Sequence, residues 1–190
     1  MKHAIALLAL CGCSLAFAAP QGEISKDEYK TQRSRIQDRY ASNKDRCSRQ
    51  EGHASDLCKV QARAEYDIAR AELRARYEPS PAHQEKAELA KAEASYRIAH
   101  EKCGDLDGSA RKICEQDARA NWTAARADAR ANRTAAEKGP NTEQSLDARE
   151  KARETATQAR YDAQRERCRT LSGDSQETCI ADAKKHFAIP

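Results

Sequence analysis

Six cysteines in three equally spaced pairs constrain this chain more than any other feature. Cys47 and Cys58, Cys103 and Cys114, and Cys168 and Cys179 are each separated by ten residues. A tyrosine stands seven residues before the first cysteine of every pair: Tyr40, Tyr96 and Tyr161. An acid and a base come directly before that cysteine, as Asp45-Arg46, Glu101-Lys102 and Glu166-Arg167. Five residues after it lies Gly52, Gly108 or Gly173. Past the second cysteine come Ala62-Arg63, Ala118-Arg119 or Ala183-Lys184, and eight residues past it an aromatic: Tyr66, Trp122 or Phe187. These shared offsets define a threefold internal repeat.

The physics of one unit follows from its residues. The flanks are rich in Ala, Glu, Lys, Arg and Gln, which lose little side-chain freedom in a helix. The glycine suits a left-handed residue just past a helix end. The base before the first cysteine then complements the negative end of that helix. Asp174 with Glu177 reads as a capping box for the returning helix. Ser109 holds the equivalent cap position in the second unit, and His53, a poorer cap, holds it in the first. Each unit is therefore expected to be a helical hairpin that turns at its glycine. Sequence alone does not choose among the possible cysteine pairings, but the equal spacing favours pairing within each unit. The turn brings the two cysteines face to face, with the aromatics two helical turns further out. Tyr40 should meet Tyr66, Tyr96 should meet Trp122, and Tyr161 should meet Phe187.

Such staples answer a shortage of core. Only 14 Ile, Leu and Val follow residue 18, against 37 Ala in the whole chain. That is too little to fill a deep core, which argues against an α/β enzyme with a buried site. Closing a loop of about 12 residues by a disulfide is worth roughly 3 kcal/mol in the chain-entropy model. The expected fold is all-α: three disulfide-stapled antiparallel hairpins, extended or loosely bundled. Hairpin 1 covers 19–78, hairpin 2 covers 82–138 and hairpin 3 covers 142–190. Ser25 with Glu28 caps the first helix, and Pro79-Ser80-Pro81 and Gly139-Pro140-Asn141 separate the units. Residues 123–160 hold one large aliphatic residue, Leu146. That stretch reads as a solvated or frayed helix with no assigned packing.

The amino terminus sets the compartment. Lys2 and His3 precede an uncharged stretch, and Ala16-Phe17-Ala18 offers small residues for cleavage after Ala18. The stretch is shorter than the roughly 20 residues that span a bilayer. Residues 1–18 are read as a secretory signal. Leu10-Cys11-Gly12-Cys13 also resembles a lipobox, in which Cys13 would carry lipid. The mature chain is expected to be periplasmic or secreted, with no membrane span. An even cysteine count in an exported chain reads as disulfides.

The chain carries no motif of catalytic chemistry. No Gly-x-Ser-x-Gly, phosphate loop or zinc-protease motif occurs, so the chain is read as non-enzymatic, without catalytic residues or cofactor. His100 lies three before Cys103, and His53 lies between Cys47 and Cys58, but neither recurs in the other units, so no metal site is assigned. Acids and bases are interspersed around a formal net charge of +4. Such mixing makes a soluble helix rather than a phosphate-binding stripe, and no nucleic acid is expected as partner.

The leader, the segment Ile24-Ser25-Lys26-Asp27-Glu28-Tyr29 and the three Cys-x10-Cys hairpins resemble a group of small exported bacterial proteins labelled TolA-like cell envelope biogenesis proteins. The resemblance covers nearly the whole chain. It implies a periplasmic location and brings no activity or catalytic residue. With TolA itself the chain shares only a helical composition rich in Ala, Lys and Glu. The expected role is an envelope scaffold or protein-interaction module with an envelope protein as partner. The alternative is a thiol-based metal-binding or redox protein.

Overall fold

The structure, a computed structural model, describes residues 24–189. The signal read at residues 1–18, with Cys11 and Cys13, lies outside them. The described chain is all-α, with six helices: α1 (Lys26–Cys47), α2 (Gly52–Tyr77), α3 (Pro81–Cys103), α4 (Gly108–Lys138), α5 (Glu143–Cys168) and α6 (Asp174–Phe187). Ser25, Ser80 and Thr142 cap α1, α3 and α5, each side chain accepting from the N–H three residues on. Pro81 occupies the first position of α3, where a missing N–H costs nothing.

Each helix packs only against its neighbours in sequence. Cross-helix pairs fix an antiparallel register, with Arg76 on Gln32, Arg97 on Asp67, Arg133 on Glu85 and Arg167 on Asp117. The result is a layer one helix thick, with the three stapled turns along one edge and the Pro79 and Gly139 turns along the other.

Alanine makes the layer possible. Ala62 and Ala64, Ala92 and Ala94, Ala118 and Ala120, and Ala129 and Ala131 are all buried. A spacing of two places such residues roughly 200° apart around a helix. One member of each pair thus faces one neighbouring helix and the other faces the next. In α1 only Cys47 is buried, and in α6 only Ala183, as befits helices at the margins.

Two expectations are corrected here. Residues 123–160 are packed, not solvated: α4 and α5 share the most extensive contact in the layer. Ala124, Ala129, Ala131, Ala152 and Ala156 are buried there. Small side chains let the two backbones close together without large aliphatics. Ser145, wholly buried, donates its hydroxyl to Gly139 O at 2.6 Å and so ties the α5 start to the turn. The caps of the returning helices also differ. Their N-cap residues are Glu51, Asp107 and Gly173, none with a side-chain cap bond. Ser109 and His53 lie inside the first turn instead. Asp174 and Glu177 occupy the first turn of α6, where carboxylates favour the helix dipole without forming a capping box.

Candidate functional site

The three repeated turns are built alike. Cys47 joins Cys58, Cys103 joins Cys114 and Cys168 joins Cys179, with Cα–Cα distances of 5.4, 5.6 and 5.6 Å. The first cysteine of each pair is wholly buried and ends its helix. The base before it lies in the last helical turn, as its charge favours. Gly52, Gly108 and Gly173 have φ of +56°, +55° and +56°. A positive φ at each glycine is as expected, but ψ of −143° puts Gly173 outside the left-handed helical region, and each glycine sits at the start of the returning helix rather than just past the outgoing one. In the first turn, buried Ser55 donates to Cys47 O at 3.0 Å, satisfying a carbonyl at the end of α1.

The aromatic layer lies where the repeat places it. Tyr40 and Tyr66 stack with centroids 4.6 Å apart, Tyr96 and Trp122 lie at 5.3 Å, and Tyr161 meets Phe187 edge-on at 6.3 Å. Sequence reasoning missed a fourth pair, Tyr29 on Tyr77 at 4.3 Å, which closes the far end of hairpin 1. Tyr29 lies eleven residues before Tyr40 and Tyr77 eleven after Tyr66, and that mirror spacing was the available signal. Guanidinium groups cover the rings: Arg70 lies 5.3 Å from Tyr66 and Arg126 lies 4.3 Å from Trp122.

Ion pairs knit the surface. Hydrogen bonds to Tyr40 and Asp67 raise the pKa of Arg63 above the ordinary value. Glu88 and Glu72 raise that of Lys91, and Glu137 and Glu85 raise that of Arg133. Arg111 and Glu115, four residues apart on α4, shift one another in opposite directions. Where hairpins 1 and 2 meet, the His53 ring lies over Gly104. A Cβ on that glycine would approach His53 Cε1 to 3.3 Å. Its two ring nitrogens face Glu101 at 3.5 Å and Asp105 at 3.3 Å. The residue read as a weak cap is thus a contact between hairpins.

The six cysteines of the described chain are all in disulfides, leaving none as a thiolate. No group of three or more His, Cys, Asp or Glu among the described residues is placed to hold a metal ion. His100 packs on Tyr96 instead, with ring centroids 5.6 Å apart. No described helix is long and apolar enough to cross a membrane. No protein-family model, curated protein or solved structure matches the chain.

Proposed function

We propose that the mature chain is a non-catalytic scaffold or protein-interaction protein of the bacterial envelope, exported by its leader and cleaved near Ala18. One observation carries this reading: a single layer of helices, contacting only chain neighbours, presents two broad faces to its surroundings. Such a layer has little interior in which to enclose a reacting group, and much surface for a partner. The disulfides fit an oxidising compartment outside the cytoplasm. Their pairing supports structural staples over thiol chemistry.

The test is thiol titration and non-reducing peptide mapping of chain isolated from the periplasm without reductant, with metal analysis of the same sample. The scaffold reading expects no free thiol and bonds 47–58, 103–114 and 168–179. Free thiols carrying stoichiometric metal, or thiol turnover lost in a folded cysteine variant, would replace it with a metal-binding or redox role.

A further inference from the structure

Two of the clefts on the layer are one cleft built twice. The first, about 410 Å³, lies where α2 meets α3, with Arg33 of α1 on one side, and is bordered by Arg70, Arg74 and Lys86. The second, about 350 Å³, lies where α4 meets α5 and is bordered by Arg126, Arg130 and Lys151. The offset that carries Tyr66 to Trp122 also carries Arg70 to Arg126, Arg74 to Arg130 and the floor residue Ala71 to Ala127. The offset that carries Tyr96 to Tyr161 carries Lys86 to Lys151. The basic border thus belongs to the repeat, although it lies away from the cysteine turns and spans the junctions between hairpins.

Five of these six bordering bases form no ion pair among the described residues, unlike others on the surface. Arg63 has Asp67, Lys91 has Glu88 and Arg133 has Glu137, each three or four residues away. Arg126, Arg130 and Lys86 have no Asp or Glu at either spacing. Among the described residues Arg70, Arg126, Arg130, Lys86 and Lys151 form no ion pair. In the first cleft Arg74 is paired with Glu78, and the one bordering acid, Asp67, is already held by Arg63 and Arg97. Like charges four apart on a helix repel, and a third cation across the cleft adds to that repulsion. Arg70 and Arg126 are also held in place, each over the aromatic ring of its own repeat. A guanidinium fixed at the edge of an alanine-floored cleft offers a planar fork suited to an oxyanion.

We propose that the two clefts are binding sites for small multivalent oxyanions, one at each junction between hairpins. Their volumes lie at the lower end of those of small-molecule sites. Bound there, an anion bridges two hairpins through Arg on one and Lys on the next. It thereby reinforces the junctions that carry no disulfide.

Calorimetric titration of the disulfide-bonded chain with pyrophosphate and with citrate at low salt tests this. The expected result is two sites per chain that weaken as salt is added. Arg126→Gln with Arg130→Gln should leave one site, and Arg70→Gln with Lys86→Gln should remove the other, each lost site falling by roughly tenfold or more in affinity. Arg35→Gln with Arg39→Gln, in a separate groove along α1, should leave both sites. Circular dichroism checks the fold, and the exposed single variants Lys86→Gln and Lys151→Gln stand in if a double variant does not fold. Saturable binding of neither probe, or a site count indifferent to the cleft variants, overturns the proposal. Equal weakening by the Arg35 and Arg39 changes does so too, since it marks diffuse charge attraction.

Discussion

Trp122 of α4 donates its indole Nε1–H to Glu93 Oε2 of α3 at 2.9 Å. It is the single tryptophan of the chain and also the ring that meets Tyr96. Replacing it by Phe keeps an aromatic face and removes the donor. Trp122→Phe should lower stability by about 1–3 kcal/mol, the cost of leaving a charged acceptor short of its partner. Urea unfolding followed by circular dichroism measures this, and an unchanged midpoint would show that the bond contributes nothing net.

The disulfide of hairpin 2 gives a second expectation. Cys103→Ser with Cys114→Ser should cost roughly 3 kcal/mol while retaining helix content, because the bond acts mainly on the unfolded chain. Thermal melts of both proteins decide it. A variant without helical signal at low temperature would mean that the staple is needed for folding itself.

Gly108 separates strain from crowding. Its φ is +55°, yet a Cβ there would meet nothing within 4 Å. Gly108→Ala should therefore cost about 1–2 kcal/mol from backbone conformation alone. Urea unfolding followed by circular dichroism measures the loss. An unchanged midpoint would contradict this account.

At the α4–α5 contact the expectation runs in the opposite direction from a usual core. Ala152 is 4% exposed between closely packed helices. Ala152→Leu should destabilise by about 1–3 kcal/mol through overpacking, although it adds apolar surface. Denaturant unfolding provides the measurement, and a gain in stability would show that the helices can part at little cost.

Arg111 and Glu115 yield a pH prediction. The hydrogen bond from Arg111 lowers the Glu115 pKa. A carboxylate depressed in the folded state contributes stability above its unfolded pKa and loses it as pH falls through the folded value. Both groups are solvent-exposed, so the contribution is small and screened by salt. Arg111→Gln should move the Glu115 titration upward, towards the ordinary carboxylate range, in a carboxyl NMR experiment. An unmoved titration would exclude Arg111 as the cause.

What the residues reveal depends on what repeats. The cysteine partners and the three expected aromatic pairs were legible because each is anchored to offsets seen three times. The contacts between hairpins were not, because they rest on Ala64, Ala94, Ala120 and Ala163, which look like ordinary helix-forming filler. Their signal was present as two small or buried residues spaced by two, as at Ala62 with Ala64 and Tyr161 with Ala163. It marks a helix with neighbours on both sides. The caps were misread for a different reason: a glycine of positive φ delivers the chain straight into the helix, so Ser109 and Asp174 fall inside it. The clefts between hairpins were hidden by overall charge mixing, which conceals that Arg126 and Arg130 have no acid three or four residues away on the helix face they share.

With all three disulfides along one edge, the layer resembles a hand fan with a riveted pivot. Every disulfide sits at that edge, while the helices of each hairpin are held at the opposite edge by packing, hydrogen bonds and ion pairs. A pull or a partner acting on that edge would splay the two helices of a hairpin without breaking a disulfide, and release would let them fold shut again.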